Sequence, residues 1–274
     1  MKEQVERAVG RRVAAARRVG GGCINEGWQV EFEDGERAFV KTRPEAAPGE
    51  YEAEAEALAW LAEPDAVRVP RVLGVGQDLL ALEWIDQGSL TGEGAEELGR
   101  GLAQLHAAGA ESFGGARPLH IGRLTIPNDP LPGWPEFYAT NRLLPLLAAV
   151  DARTAKTVGR VCERMGELAG PAEAPARLHG DLWSGNVLGG ADGRGWLIDP
   201  VAYGGHREVD LAMLRLFGAP HQRILDAYAE VAPLADGHEE RVGLWQLFPL
   251  LVHAALFGGH YAAQVEQTAR RYAA

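Results

Sequence analysis

The spacing of apolar residues changes once along this chain, near residue 86. Before that point, short runs alternate or stay apolar as β-strands do, and the segment 51–63 is rich in helix formers. From residue 92 onward, apolar residues mostly recur at helical spacing. The predicted strands are 28–34, 37–42, 71–75, 79–85 and, much later, 195–199, and the predicted helices are 92–109, 135–149, 152–169, 208–217, 221–231, 239–257 and 260–272.

This order predicts an α+β fold of two lobes. Residues 1–85 are expected to form a small N-terminal lobe with a basic helix, a glycine loop, an antiparallel β-sheet and one further helix. Residues 86–274 are expected to form a larger, mostly helical C-terminal lobe. Asp34-Gly35 predicts the hairpin turn between the first two strands.

The start of the chain is strongly basic. Residues 1–19 carry six basic side chains and two acidic ones, and we interpret them as a first helix of the folded protein. The N-terminus lacks the apolar core of about 7–15 residues that a secretory signal needs. Cys23 and Cys162 are too few for a disulfide framework. A cytoplasmic protein is therefore the expectation.

Charge and hydropathy exclude two classes of partner. The net charge of −11 argues against broad binding to a nucleic-acid backbone. The longest nearly apolar stretch, 247–257, is far shorter than the roughly 20 residues of a membrane span. The expected protein is soluble, and a monomer is the expected form, with a dimer as the alternative.

The segment HGDLWSGN at 179–186 carries the strongest chemical signal. His179, Asp181 and Asn186 have the His-x-Asp-x-x-x-x-Asn spacing of phosphoryl-transfer catalytic loops. Such chemistry needs a carboxylate that accepts the proton of the attacking hydroxyl and, nearby, an amide oxygen that holds a metal ion. We predict that Asp181 is the base, that Asn186 is a metal ligand, and that His179 positions the loop.

Three further side chains complete the predicted nucleotide site. Asp199 ends the strand at 195–199, where a second metal-binding carboxylate is expected. Lys41 lies on an otherwise apolar strand, where it needs a partner if it is buried. Glu54 is that expected partner, because Glu54, Leu58 and Leu61 share one helix face, although Glu52 and Glu56 are alternatives.

Backbone groups are expected to bind the rest of the nucleotide. Gly21 and Gly22 precede the first predicted strand and could fold over phosphates, although they equally fit a flexible turn. Cys23 could be sensitive to oxidation there. The Glu83 carbonyl and the Ile85 N–H could face an adenine edge. Phe39 and Leu188 could contact the two faces of the base, His106 is predicted to be a core histidine, and Asp210 is predicted to support the catalytic loop from below.

These residues together resemble a known family, the fructosamine/ketosamine kinases. The resemblance runs from about residue 18 to 260 through GGCIN, FVK, LEWI, FGG with IPN, HGDLWSGN, and LIDP with GGHREVDLAM. It implies a protein-kinase-like fold, related to aminoglycoside and choline phosphotransferases. It also implies ATP and Mg²⁺ as cofactors and phosphorylation of the 3-hydroxyl of a ketosamine, on a small amine or a protein lysine, with loss of the sugar.

The resemblance also assigns a role to Trp183. Its indole could lie against the sugar and attract the protonated amine, although it could instead be a packing residue of the loop. Asp199 is followed by Pro-Val rather than Phe-Gly, and no Ala-Pro-Glu follows, which disfavours a protein kinase. A kinase of another small metabolite or an aminoglycoside remains the alternative, and a catalytically dead binding module is a third possibility.

Overall fold

A computed structural model describes residues 1–20, 26–43, 46–218 and 222–274. Its N-terminal lobe is a five-stranded sheet in the order β1-β2-β3-β5-β4, with every neighbouring pair antiparallel. The turn at Asp34-Gly35 joins β2 to β3, and the Gly35 φ of 83° favours glycine there. The strands are β1 Val13–Val19, β2 Glu26–Phe32, β3 Arg37–Thr42, β4 Val72–Gly76 and β5 Leu79–Glu83.

Two helices accompany this sheet. Helix α1 (Lys2–Val9) buries Val5 in a cluster with Val30, Phe32 and Val40. It approaches β4 so closely that a Cβ on Gly74 would overlap the Ala8 carbonyl. Helix α2 (Glu50–Ala62) joins a second cluster, in which Leu58 and Leu61 share a core with Leu80 and Leu82 of β5. The sheet is therefore buried on both faces.

The interpretation of the basic start as one helix was wrong for its second half. Helix α1 ends at Val9, Gly10 follows with a φ of 73°, and Val13–Val19 forms β1. Most side chains of β1 are exposed, so no alternation of buried and exposed residues marks it as a strand. Pairing with β2 decides its conformation, and Arg17 donates to Gln29 across that pair.

The C-terminal part is mostly helical, as predicted. Its main core joins aromatic and aliphatic side chains from α4, α5, α7, α9 and α10, including Phe137, Val158, Val209, Trp245 and Val265. The helices are α3 Gly92–Ala107, α4 Trp134–Phe137, α5 Ala152–Glu163, α6 Met165–Leu168, α7 Glu208–Met213, α8 Gln222–Val231, α9 His238–Phe257 and α10 His260–Ala269.

Two predicted helices are less regular than their spacing indicates. Only the first turn of 135–149 is α-helical, and it continues as a π-helical segment over Tyr138–Leu143 and a 3₁₀ segment over Leu144–Ala149. The segment 152–169 breaks at Arg164 into α5 and α6. Proline at position 145 and the need to bury Tyr138 and Leu143 together oppose one continuous helix.

Helix α9 contains a proline but continues past it. Pro249 has no N–H to donate to the carbonyl of Trp245. The Tyr138 hydroxyl donates to that carbonyl instead, at 2.9 Å, and to the Leu244 carbonyl at 3.1 Å. This contact lets a helix with an internal proline form one wall of a large cleft.

Short strand pairs, mostly not predicted, connect these helices. The pair β8 (Ala176–Leu178) and β11 (Tyr203–Gly205) frames the loop that follows position 178, and β6 (Leu119–Ile121) pairs with β7 (Leu124–Ile126). The predicted strand at 195–199 is present as β10 (Gly195–Leu197), which pairs with β9 (Val187–Gly189). Within the four ranges that the structure covers, no helix has the length and apolarity to cross a membrane.

Candidate active site

A cleft of about 930 Å³ lies where the sheet meets the helical part. Residues from β3, β5, the loop after β8 and helix α9 all line it. Of the predicted site residues that the structure describes, it brings Lys41, Glu83, Ile85, Asp181, Trp183, Asn186, Leu188 and Asp199 to this one cleft. Glu54 reaches it through its bond to Lys41.

The loop after β8 has a sharp turn at Gly180. Its φ is 82°, and a Cβ there would overlap the carbonyl oxygen of Val201. Glycine is therefore required for this turn, which brings the Asp181 side chain into the cleft. Nε2 of the buried His179 lies 3.0 Å from the Ile198 carbonyl, so this histidine links the loop to the segment before Asp199.

Asp181 and Asn186 are in direct contact. The Asn186 side-chain nitrogen donates to Asp181 Oδ2 at 3.0 Å and to the Asp181 carbonyl at 2.8 Å. Burial raises the pKa of Asp181 to about 7, and the charges of Asp199 and Asp210 add to the rise while the Asn186 bond opposes it. The site therefore contains a carboxyl group that can exchange a proton near neutral pH.

Asp210 supports this loop from below, as predicted. It is fully buried, and it accepts hydrogen bonds from the N–H groups of His179 at 2.7 Å and Gly180 at 2.9 Å. His106 Nε2 lies 3.3 Å from the same carboxylate, and its other ring nitrogen lies 2.9 Å from the Tyr228 hydroxyl. Burial alone would raise the pKa of Asp210, but these bonds and the two histidines hold it below its usual value.

Lys41 joins the two parts of the molecule. Its buried Nζ donates to Glu54 Oε1 and to Asp199 Oδ1, both at 2.6 Å. Burial alone would lower the pKa of Lys41, but the two carboxylates outweigh it and raise that pKa. Lys41 therefore contacts Glu54, and neither Glu52 nor Glu56 forms this bond. Asp199 has a φ of 56°, which is rare outside glycine and indicates local strain at this carboxylate.

The predicted adenine end of the cleft is apolar. Phe39, Leu82, Ile85 and Leu188 line it, next to Trp84. The Glu83 carboxylate accepts from the backbone and side chain of Arg71, so this side chain is already engaged. Gly21, Gly22 and Cys23 lie outside the residues that the structure describes.

Trp183 lies over its own loop. A Cβ on Gly185 would overlap the indole, and the ring packs edge-on against Phe217 at a centroid distance of 6.3 Å. Trp183 also lines the cleft beside Asp181. The side chain therefore stabilises the loop and still presents a surface to the cleft, so the packing interpretation and the substrate interpretation are compatible.

The sequence interpretation missed one side of the cleft. Helix α9 lines it with Phe248, Pro249, Val252, His253, Leu256 and Phe257, and Met213 of α7 joins them. The apolar stretch 247–257 had been used only to exclude a membrane span. A proline and a histidine inside an otherwise apolar helix were the signals that could have indicated a lining role.

The fold defines the class of protein. A sheet lobe and a helical part with a cleft between them form the protein-kinase-like fold of phosphotransferases. A choline kinase from Streptococcus pneumoniae shares this fold, with a TM-score of 0.66 at 15% identity over 99% of this chain and 96% of that one.

The whole chain matches the family model described as fructosamine kinase, over residues 1–274, and the protein belongs to that family. A protein of Thermus thermophilus named as a ketoamine kinase is 39% identical, over 88% of this chain and 87% of its own length. A rice protein named protein-ribulosamine 3-kinase is 32% identical, over 91% of this chain and 76% of its own length. A crystal structure from Thermobifida fusca, described as a fructosamine-3-kinase, has a TM-score of 0.93 at 45% identity, and the match covers 99% and 98% of the two chains.

Proposed function

We propose that this protein is an ATP-dependent ketosamine 3-kinase, which phosphorylates the 3-hydroxyl of a sugar adduct on an amine. Family membership supports the reaction, and the contact of Asp181 with Asn186, beside the Lys41–Glu54–Asp199 cluster, supports the site. The alternative, an aminoglycoside or choline phosphotransferase, is not favoured because the choline kinase shares only the fold, at 15% identity.

The boundary between the lobes at residues 85 and 86 remains a prediction.

In this proposal Asp181 accepts the proton of the attacking hydroxyl. A base works best when its pKa lies near the working pH, and burial raises the pKa of Asp181 to about 7. The Asn186 side chain fixes one carboxylate oxygen through the 3.0 Å bond to Oδ2, which leaves Oδ1 for the substrate. Asp210 holds the two residues before Asp181 through their backbone N–H groups, and so it positions the base.

Asn186 and Asp199 fit a magnesium site. Asn186 uses its amide nitrogen for Asp181, which leaves its amide oxygen as a ligand, and Asp199 supplies a carboxylate that is 43% exposed at the cleft. Mg²⁺ prefers oxygen ligands and usually shares its coordination between one or two carboxylates and substrate phosphates. When bound, the ion would neutralise charge on the phosphates during transfer.

The remaining residues would bind and orient the nucleotide. Glu54 holds Lys41 at the cleft, where its charge can bind phosphate. The backbone of Glu83 and Ile85 would face the adenine edge, while Phe39 and Leu188 would contact its faces. Gly21 and Gly22 are proposed to cover the phosphates, and Trp183 is proposed to contact the sugar. We propose that the protein is a cytoplasmic monomer. Its proposed substrates are small ketosamines or glycated proteins.

The test is an ATP-consumption screen with the purified protein. Ribulosamines and fructosamines of one simple amine are compared with choline and an aminoglycoside at equal concentrations, with and without Mg²⁺. Phosphorus NMR should then show the ketosamine 3-phosphate, and proton NMR should show release of the amine. Turnover of choline or the aminoglycoside, with none of the ketosamines, would refute the proposal.

A further inference from the structure

Two aromatic residues that line the cleft, His253 and Phe257, pack against Phe217 and Tyr261, and these four rings are called the aromatic wall below. His253 is at its centre, with its ring centroid 4.5 Å from that of Phe217, 5.0 Å from Tyr261 and 5.6 Å from Phe257. His253 and Phe257 line the same continuous cleft as Asp181. A molecule that reacts at Asp181 can therefore extend along this wall.

The aromatic wall is attached to the catalytic loop. The Ser184 hydroxyl donates to the Phe217 carbonyl at 2.8 Å, and the Trp183 ring packs edge-on against the Phe217 ring. The two loop residues that make these contacts, Trp183 and Ser184, follow the proposed base by two and three positions. A substituent that extends from the reacting sugar past Trp183 and Ser184 would therefore reach the wall.

The wall offers no carboxylate to pair with a positively charged group. Among the described residues that line the cleft, the acidic side chains are Glu83, Asp181 and Asp199, and none of them belongs to the wall. Nδ1 of His253 lies 2.8 Å from the Pro249 carbonyl, and burial lowers the pKa of this histidine, so its ring is neutral at physiological pH. The other lining residues of α9 in this region, Val252 and Leu256, are aliphatic.

Phe257 leaves an apolar surface uncovered at the edge of the cleft. It is 54% exposed, and of the four large apolar side chains exposed among the described residues it alone lines the cleft. It ends helix α9 directly before Gly258 and Gly259, whose φ angles of 64° and 63° turn the chain into α10. An exposed ring beside a reaction site is a surface that a bound apolar group would cover.

We propose that the aromatic wall is a subsite for the amine substituent of the ketosamine, and that it selects an apolar, preferably aromatic, group over a second cation. The inference rests on the proposed function. Aromatic rings pack favourably edge-to-face and offset, as the rings of the wall already do with one another. A second ammonium group would lose water there without gaining a carboxylate.

The experiment compares two adducts of the same sugar, ribulose. One is formed with 2-phenylethylamine and the other with 1,4-diaminobutane, which carries a second positive charge. We expect kcat/KM to be about tenfold or more higher for the phenylethyl adduct, the discrimination that an apolar pocket typically achieves, and to arise mainly from KM. Isothermal calorimetry of each adduct without nucleotide should show the same order of affinity.

Variants of Phe257 separate the wall from the reaction. Phe257→Ala should raise KM for the phenylethyl adduct about tenfold and leave the diaminobutane adduct within about twofold. Phe257→Glu should shift the preference toward diaminobutane. Leu144→Ala is the matched control, since Leu144 is 45% exposed and does not line the cleft, and it should change neither value.

The outcomes distinguish the two proposals. Equal or reversed preference in an enzyme that phosphorylates ketosamines overturns the subsite and leaves the proposed function intact. An enzyme that phosphorylates neither adduct, nor the fructosamines of the same two amines, refutes the function. Calorimetry then tests the subsite by itself. If the subsite exists, Phe257→Ala must bind the phenylethyl adduct more weakly than the wild type does. An unchanged affinity overturns the subsite.

Discussion

Lys41 Nζ and Asp199 Oδ1 lie 2.6 Å apart although 158 positions separate the two residues in the sequence. The bond links β3 of the sheet to the segment after β10, across the cleft. Glu54 binds the same ammonium group, so one buried cation holds two carboxylates. This shared ion pair makes the proposed nucleotide site part of the structure that joins the sheet to the helical part.

Removing this cation should destabilise the protein. Lys41→Met leaves Glu54 buried without its counter-ion, and the loss of one partner of such a buried pair costs about 3–5 kcal/mol. Lys41→Met combined with Glu54→Gln should recover much of the loss, since no buried charge remains unpaired. Urea unfolding measures both. Lys156→Met, at an exposed lysine, is the control and should have little effect. If the double variant loses as much free energy of unfolding as the two single variants together, the coupling of Lys41 with Glu54 is contradicted.

Replacing the proposed base should lower turnover and spare nucleotide binding. Asp181→Asn keeps the shape of the side chain but cannot accept the substrate proton, so kcat should fall by roughly 10²–10⁴-fold. Steady-state kinetics and calorimetry with an ATP analogue test the two halves of this prediction. Asp226→Asn on the exposed face of α8 serves as the control. Near-normal kcat in Asp181→Asn would remove this residue from the role.

Asp181 should also make the stability of the nucleotide-free protein depend on pH. Its pKa is about 7 in the folded state against a usual value of 3.8. Between these values the folded protein binds a proton that the unfolded chain has released, so this carboxyl lowers the free energy of unfolding progressively as pH rises through that window.

Asp181→Asn removes this dependence. The variant should be about 1–3 kcal/mol more stable than the wild type near pH 8 and about equally stable near pH 4. Urea unfolding of both proteins across this range measures the difference. A stability gain of the same size at both ends would show that the ionisation of Asp181 is not its cause.

Asp199 should govern the dependence on magnesium. Asp199→Asn removes the carboxylate charge that attracts the ion, so the Mg²⁺ concentration needed for half-maximal turnover should rise at least about tenfold. A magnesium titration at saturating ATP and substrate measures this. Asp192→Asn, at an exposed carboxylate that pairs with Arg68, is the control. An unchanged titration curve in Asp199→Asn would exclude this residue as a ligand.

Asp210 should act on catalysis only through the loop that it holds. Asp210→Ala leaves the N–H groups of His179 and Gly180 without their acceptor in a buried site, which costs about 2–4 kcal/mol. We expect kcat to fall while KM for ATP changes little, because the base is displaced and the nucleotide contacts are not. Asp210→Asn keeps one acceptor oxygen and should recover part of kcat. A large rise in KM with unchanged kcat would contradict a positioning role.

Local patterns in the sequence were sufficient for much of the fold. Strand alternation, helix spacing and the Asp34-Gly35 turn depend on neighbouring residues, and β2, β3, β5, α2 and α9 lie close to their predicted ranges. The choice of Glu54 over Glu52 and Glu56 also followed from helix geometry, since only one of the three shares a face with Leu58 and Leu61. The prediction of one helix over the basic start was wrong in its second half, because the exposed strand β1 is held by its pairing with β2.

The amino-acid sequence alone determined the order of most elements and the residue types of the catalytic loop, because these depend on residues within a few positions of one another. Tertiary structure decided the rest. It brought Asp199 into contact with Lys41, placed the half-buried Asp181 near two other carboxylates, and assembled the aromatic wall from Phe217, α9 and α10. Burial, charge and ring packing act through space, so residues far apart in the chain set the properties of this site.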